Sequence, residues 1–212
     1  MQLKSAGEIF DVALSPDGHW AATADRGLGE RVTGMVTLWD TWTGQAVKRL
    51  PHVGTFHSVA FSPDGRWLVT STIEEYRFWA VGTWERRRVI RRDWGLAGPV
   101  AFSRDGRMLA LAHSRYAVRL YDAATFAELA TLEAPDPRHI TWLCFTPAGG
   151  LLVATTDHSI QLWDLPAIRT QLRAIGLDWE PPSDPPASLE AEPLTPLRVV
   201  VERDGSSGGA AD

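Results

Sequence analysis

Six histidines, one cysteine and many aspartates give this 212-residue chain the side chains that most often act as nucleophiles, general bases and metal ligands. Their spacing does not match the motifs in which such residues work together. The sequence has no H-E-x-x-H zinc motif, no G-x-x-x-x-G-K-[ST] phosphate loop and no pair of cysteines. We therefore expect no catalytic residue, no metal and no cofactor, and we interpret the histidines as structural or surface side chains.

The strongest charged feature is the segment E-R-R-R-V-I-R-R, residues 85–92. On a strand its arginines point to both sides, with Arg86, Arg88 and Arg92 on one side and Arg87 and Arg91 on the other. Charge on both sides is typical of an exposed edge strand, where it discourages pairing with other chains. The alternative is a patch for an anionic partner, either nucleic acid or the acidic tail of the protein itself. We favour the exposed edge over a nucleic-acid partner.

Composition indicates a soluble globular chain, with 44% apolar and 22% charged residues and a net charge of -5. Residues 178–212 hold most of the acidic excess. No run of about 18 apolar residues could cross a bilayer, and the N-terminus lacks the apolar core of a signal peptide. We expect a cytoplasmic protein with no membrane partner. The single cysteine, Cys144, lies in an apolar run, which predicts a buried thiol.

One heptapeptide recurs in four versions, and the strands around these copies must position the residues named above. Its copies are V-A-L-S-P-D-G from Val12, V-A-F-S-P-D-G from Val59, V-A-F-S-R-D-G from Val100 and L-C-F-T-P-A-G from Leu143, at spacings of 47, 41 and 43 residues. Ser-Pro-Asp-Gly favours a tight turn between two strands. A second landmark keeps the same period: L-W-D, F-W-A, L-Y-D and L-W-D, ending at Asp40, Ala80, Asp122 and Asp164. Such a period is typical of propeller blades.

These residues resemble the WD-repeat β-propeller family, whose repeats carry a V-x-F-S-P-D-G turn and end a strand in tryptophan-aspartate. The resemblance covers residues 2–165 and implies an all-β fold of four blades, each with four antiparallel strands. The blades are expected near residues 12–50, 59–92, 100–133 and 143–165. Family repeats also join a histidine to an aspartate inside each blade. His52 and Asp157 match those two positions, whereas Ser5 and Asp136 replace the histidine in other repeats.

Four repeats do not determine how the ring closes. An arc of four blades would leave two apolar faces in water, so these faces must be covered. The alternatives are a tight four-bladed ring, a homodimer that completes an eight-bladed ring, and part of a longer array. Residues 2–4 have the spacing of an outer strand, and the fourth repeat ends after its third strand. We therefore predict that Gln2–Lys4 close the propeller by pairing with Ser159–Trp163, within one chain or across a dimer.

The repeat period stops after Leu165, and the next segment has the pattern of a helix over residues 166–177. Pro166 favours its start, Gly176 favours its end, and one apolar stripe should cover the propeller. The stripe consists of Ile168, Leu172 and Ile175. Residues 178–212 are expected to form a flexible acidic, proline-rich tail. This ending resembles that of bacterial WD-repeat arrays, often linked to serine/threonine kinases, although the sequence carries no H-R-D or D-F-G kinase motif.

The family topology implies that the loops before the first strand and after the second strand of each blade share one face near the channel mouth. The long segment 25–34 would lie on this face. The residues expected to contact a protein or peptide partner there are Arg26, Glu30, Arg31, His57, Glu74, Arg115, Arg138 and His139. The expected function is a non-enzymatic protein-protein interaction scaffold. The alternatives are a structural C-terminal segment of a larger bacterial WD-repeat regulatory protein and an enzyme with a channel site.

Overall fold

The structure is a computed structural model that describes residues 8–26, 34–51, 58–93 and 98–179. Within these ranges the chain forms fifteen strands in four antiparallel sheets, followed by one helix. The four sheets follow one another along the chain as propeller blades. The predicted all-β fold with four blades and a short C-terminal helix is confirmed. Gln2–Lys4, the predicted closing strand, lie outside the described residues.

Each blade is a meander in which consecutive strands pair. The first blade contains β1 (Glu8–Leu14), β2 (Trp20–Arg26), β3 (Met35–Asp40) and β4 (Ala46–Pro51). The second contains β5 (Val59–Phe61), β6 (Trp67–Ser71), β7 (Glu75–Ala80) and β8 (Arg86–Arg91). The third contains β9 (Val100–Phe102), β10 (Met108–Ala112), β11 (Ala117–Asp122) and β12 (Glu128–Glu133). The fourth contains β13 (Ile140–Phe145), β14 (Leu151–Thr155) and β15 (Ile160–Trp163).

The recurring Ser-Pro-Asp-Gly motif forms the turn between the first two strands of a blade. In the second blade Ser62 Oγ donates to Asp64 Oδ1 at 2.5 Å and accepts the Trp67 N–H at 2.9 Å. Gly65 takes a φ of +69°, a conformation that glycine adopts without steric cost. The aspartates of this motif are therefore turn residues, as the sequence predicts.

The aspartate of the L-W-D landmark organises the chain after the third strand. Asp40 Oδ1 accepts the N–H groups of Trp42 and Thr43, each at 2.9 Å, and so closes the turn into β4. In the fourth blade the same position is Asp164, which instead accepts the Ala167 N–H at 3.0 Å and caps a helix. One local capping role thus serves either a turn or a helix start.

Consecutive blades pack face to face through apolar clusters. We call the face toward the preceding blade the leading face and the opposite face the trailing face. Each interface joins the trailing face of one blade to the leading face of the next. The clusters join Leu38 with Phe61 and Leu68, Phe78 with Leu109 and Leu111, and Leu120 with Leu143 and Leu151. The first strands of consecutive blades are neighbours, which places them along the inside of the arc.

Helix α1 (Leu165–Ala174) follows the fourth blade directly, with Pro166 in its first turn. Leu165 is buried and Ile168 packs on the cluster between the third and fourth blades. The prediction that Ile175 also covers the propeller is wrong, because this side chain lies after the last helical turn and is exposed. Gly176 has a φ of +72° at the expected stop.

Candidate functional site

The predicted loop face is partly described. Arg26 is the last residue of β2, while Glu30, Arg31 and His57 lie outside the described residues, as does His52. The base of the long loop is held by Asp25, whose Oδ1 accepts the Met35 N–H at 3.1 Å. This hydrogen bond joins the two strands that flank residues 27–33.

Two of the predicted contact residues, Arg115 and His139, lie where the third and fourth blades are joined. The Ile140 N–H donates to the Arg115 carbonyl at 2.8 Å, and His139 Nε2 lies 3.1 Å from Tyr116 Oη. Arg138 precedes this pair and is half exposed. Tyr116 was missed at the sequence level, because only the fold brings it next to His139. Glu74 is exposed in the second blade, where its carbonyl accepts the Arg92 N–H.

Arg138 forms ion pairs with two aspartates of the fourth blade. Its guanidinium lies 2.6 Å from Asp136 Oδ2 and 3.4 Å from Asp157 Oδ2. These two aspartates are the residues that the family resemblance placed in the polar pair of the blade. Two carboxylates compensate the Arg138 charge, so this side chain acts mainly as a link within the blade.

The arginine segment forms the exposed outer strand β8 of the second blade. Arg86, Arg87, Arg88 and Arg91 are exposed there. Arg87 pairs with Glu85 at 2.6 Å, and the Arg88 guanidinium lies 4.6 Å from the centre of the Phe126 ring. The Glu85 carboxylate compensates part of the positive charge on this strand, and the Phe126 ring provides a packing surface for Arg88.

Arg92 does not belong to the exposed arginine patch, because β8 ends at Arg91 and the chain then turns inward. The Arg92 side chain is buried between the second and third blades, where Nε donates to the Ala112 carbonyl at 2.9 Å. Tyr76 Oη donates to the same carbonyl at 2.8 Å. Arg92 is therefore a structural link between blades and cannot contact an anionic partner.

The leading face of the first blade is exposed. Leu14 is 61% exposed, whereas Phe61 at the same repeat position of the second blade is 9% exposed. Val12 is 64% exposed and its counterpart Val59 is 6% exposed. The difference arises because the first blade covers Val59 and Phe61, while no described element covers Val12 and Leu14.

The trailing face of the fourth blade is exposed in the same way. Leu162 is 65% exposed, whereas Leu38, Phe78 and Leu120 at the same repeat position are 0% exposed. Cys144 lies across the sheet from Leu162, since both flank Leu152 in register. The predicted burial of the Cys144 thiol is therefore wrong: the thiol is exposed because no described element covers this face.

Strand β15 forms the outer edge of the fourth sheet as described. A groove of about 500 Å³ runs beside it, lined by Ala134, Pro135 and Asp136 on one side and by Gln161, Leu162 and Trp163 on the other. In the other blades the fourth strand occupies the position next to the third strand. The groove is therefore the place where a fourth strand would pair with β15.

Asp11 is the ionisable residue at the inner cavity, which is lined by the first strands and by Trp142. Asp11 Oδ2 accepts the Val59 N–H at 2.9 Å and so joins the first two blades. Burial raises the pKa of the Asp11 carboxyl above its ordinary value. Among the described residues, no group of three or more His, Cys, Asp or Glu side chains could hold a metal ion.

Within the part of the chain that the structure describes, no helix is long and apolar enough to cross a membrane.

The family model described as "WD domain, G-beta repeat" matches residues 44–73 and 126–164. Two curated plant proteins match at 37% identity over 79 residues: small ribosomal subunit protein RACK1z of Arabidopsis thaliana and small ribosomal subunit protein RACK1 of Brassica napus. Each match covers 37% of this chain and 24% of the relative. The chain thus spans about a quarter of the length of these relatives.

A solved structure, Kuenenia stuttgartiensis hydrazine synthase, is similar with a TM-score of 0.61 and 18% sequence identity, over 79% of this chain and 50% of that chain. At this identity the likeness shows a shared fold alone. The matched repeats and the four antiparallel sheets agree with this fold. Two segments of this chain match WD40 repeats, and its described residues form four sheets arranged as the blades of a β-propeller.

Proposed function

We propose that this chain is a non-enzymatic interaction scaffold whose four blades form half of an eight-bladed ring that a second copy completes. The exposure of Val12, Leu14, Ile160 and Leu162 carries the proposal. The counterparts of Ile160 and Leu162 are buried at every other interface, and the first blade buries Val59 and Phe61, the counterparts of Val12 and Leu14 in the second blade. Proteins built of WD40 repeats act in general as scaffolds for protein partners.

The two exposed faces carry the residues that pack against each other between consecutive blades. Leu162 occupies the repeat position of Leu38, which shares a cluster with Val59 and Phe61. Contact between the fourth blade of one copy and the first blade of another would therefore repeat an existing interface. Burial of each large apolar side chain contributes about 1.5–3 kcal/mol, so four such side chains at each contact favour association.

Two copies close the ring because the contact is head-to-tail. The trailing face of each copy meets the leading face of the other, and the interface occurs twice about a two-fold axis along the channel. Eight blades lie within the known range of about four to eight. A closed ring removes the exposed apolar faces that would otherwise favour aggregation.

The loop face supplies the surface for a protein or peptide partner in this proposal. Asp25 and Met35 fix the base of the long loop, and the His139 and Tyr116 side chains lie on the neighbouring loops of the third and fourth blades. Binding residues are commonly carried by loops that a rigid scaffold positions. Arg26, Glu30 and Arg31 are the proposed centre of the contact.

Deletion of residues 27–33 tests the loop face. We expect capture of a protein partner to weaken by at least about tenfold while the melting temperature changes little, since the deletion leaves every described strand in place. A deletion of residues 205–212 in the tail serves as control. Undiminished capture by the variant without residues 27–33 would contradict this assignment.

A second candidate function rests on the same exposed faces. The four blades could be the structural C-terminal segment of a larger bacterial WD-repeat regulatory protein, in which additional blades of the same polypeptide cover both faces. An enzyme with a channel site has less support, because the Asp11 carboxylate at the inner cavity is used to join two blades.

Substitutions on the two faces test the assembly. We expect Leu14→Asp and Leu162→Asp each to raise the dissociation constant of the dimer by at least about a hundredfold, because each places a charge in both copies of an apolar interface. Sedimentation velocity measures the shift. Leu177→Asp is the matched control, since Leu177 is 68% exposed and lies after the helix, outside the strands that form the two faces. Equal sedimentation of all four proteins would refute the dimer.

A further inference from the structure

A stack of aromatic rings lies on the side of the propeller that carries the Ser-Pro-Asp-Gly turns. The Trp42 and His19 rings are parallel within 12°, with centroids 3.9 Å apart, and the His19 and Trp20 rings stack at 4.1 Å. Trp20 meets Trp84 edge to face at 5.3 Å. Trp84 is buried, whereas Trp42 is 75% exposed. The stack therefore runs from the core between the first two blades out to water.

The inner half of this stack is a structural feature of the repeat. Trp67 and Phe126 meet edge to face at 5.9 Å between the second and third blades, at the repeat positions of Trp20 and Trp84. An aromatic contact at this place thus joins consecutive blades. Packing between blades therefore explains the contact of Trp20 with Trp84.

The outer half of the stack departs from the repeat. The position of His19 is arginine in the next two blades, Arg66 and Arg107, and the position of Trp42 is Gly82 and Ala124. Both of those blades fold without a ring at either position. The fold therefore does not require the exposed indole of Trp42, and His19 holds it in place.

One carboxylate lies beside the His19 ring, and a second lies beside the His19 backbone. Asp40 Oδ2 is 3.4 Å from His19 Nε2, and Asp17 Oδ1 accepts the His19 N–H at 3.0 Å. Asp40 remains ionised near neutral pH, because the hydrogen bond from the Thr43 N–H, with others, lowers the pKa of its carboxyl. An exposed indole face beside negative charge attracts a planar cation and repels phosphate.

We propose that Trp42, held by His19 and flanked by Asp40, with Asp17 bound to the His19 backbone, is a binding site for an arginine side chain of a basic peptide segment in a protein partner. A guanidinium can stack on an indole and donate to a carboxylate at the same time, which an ammonium group does less well. The site lies on the turn side, so it is separate from the loop face and from the two blade faces. It does not depend on the dimer.

The test uses the full chain and a short peptide, acetyl-Gly-Gly-Arg-Gly-Gly-amide, followed by the indole N–H resonances in NMR titration. Matched peptides carry lysine or citrulline in place of arginine, and citrulline keeps the planar shape without the charge. We expect the arginine peptide to shift the Trp42 resonance, the lysine peptide to bind several-fold more weakly, and the citrulline peptide to leave the resonance unchanged.

Two variants introduce residues that other blades carry at the same positions, so we expect both variants to fold. Trp42→Ala introduces the residue of the third blade and removes the Trp42 resonance, so binding to this variant is followed by the Trp20 indole N–H of the same stack. We expect the affinity for the arginine peptide to fall by roughly tenfold. His19→Arg introduces the residue of the second and third blades, and its own guanidinium should occupy the site and prevent binding. Trp142→Ala removes another exposed tryptophan and should bind as the parent does.

The charge is tested by Asp40→Asn, which keeps an oxygen that can accept the Trp42 and Thr43 N–H groups. Weaker arginine binding by this variant supports the proposal. Equal binding of the arginine and citrulline peptides would overturn it, as would undiminished binding by Trp42→Ala with an unchanged melting temperature.

Discussion

Residues of one type take different roles in this protein according to which blade covers them. Trp39 and Trp79 end third strands, and the indole N–H of each donates to a threonine of the adjacent strand at 2.9 Å. Trp42, three residues after Trp39, is largely exposed. Arg92 is buried and donates to a carbonyl of the next blade, while Arg91 beside it is exposed. Position within the blade therefore decides the role more than residue type does.

An ion pair at the end of helix α1 gives a prediction at the residue scale. Asp178 accepts hydrogen bonds from Arg169 Nε and Nη2 at 2.9 and 3.0 Å and from Arg173 Nη2 at 3.1 Å. The bonds from Arg169, then that from Arg173, hold the pKa of the Asp178 carboxyl below its ordinary value. A lowered folded-state pKa means that this stabilisation is complete above the unfolded pKa of about 3.9 and is lost as the pH falls through the folded pKa.

We expect Asp178→Asn to lower the melting temperature at pH 7, because the variant loses the charge that both arginines contact. The difference between the variant and the parent protein should then shrink as the pH is lowered below about 4, where the parent also becomes neutral at this position. Thermal melts followed by circular dichroism at a series of pH values measure both effects. A difference that stays constant down to pH 2 would show that Asp178 acts without its charge.

The turn residues could be predicted from the sequence, whereas several site residues could not. Ser62, Asp64 and Gly65 form a turn through contacts within five residues, so local chemistry suffices. Cys144 appeared buried because its neighbours are apolar, but burial depends on whether a following blade exists. The pairing of His139 with Tyr116 joins residues 23 positions apart, which only the fold brings together. The sequence does carry a signal for Trp42, because the equivalent positions of the next two repeats are Gly82 and Ala124.

At the scale of elements, the fourth sheet differs from the other three by its outer edge. β4, β8 and β12 each pair with the third strand of their blade, whereas β15 has no outer strand among the described residues. The residue spacing of the repeats places Leu3 where Leu50 lies in the first blade. Since Leu50 pairs with Val36, and Ile160 is the counterpart of Val36, Leu3 is expected opposite Ile160.

Hydrogen exchange tests this strand. We expect Leu3→Pro to speed exchange of the outward-facing amides of Ile160–Trp163, because proline removes a donor and disfavours a paired strand. Val200→Pro, in the apolar segment L-R-V-V-V-E of the tail, is the matched control. If Val200→Pro speeds this exchange and Leu3→Pro does not, the tail covers β15 and the predicted closing strand is wrong.

The order of elements followed from the repeat, because two landmarks in one period fix both the turns and the third strands. The helix start was also predictable, since Asp164 and Pro166 act locally. The extent of the apolar stripe was not, because the chain leaves the helix before Ile175 can reach the propeller. In the same way, the run of arginines did not show that the strand ends at Arg91.

At the scale of the whole molecule, each blade interface joins two unlike faces, and a linear array of blades always ends in one face of each kind. Val12 and Leu14 form one end of the arc, and Ile160 and Leu162 form the other. An assembly that satisfies both must be head-to-tail. A ring of two copies does so with the interface that the chain already uses three times, and its turn side would present two Trp42 sites.

The mass of the intact 212-residue chain in solution, measured by size-exclusion chromatography with light scattering across a range of concentrations, tests the ring most directly. The ring predicts a species of twice the 23.4 kDa chain mass, which dissociates to single chains on dilution, and no larger species at high concentration. A mass of 23.4 kDa at every concentration up to the micromolar range or above would contradict it.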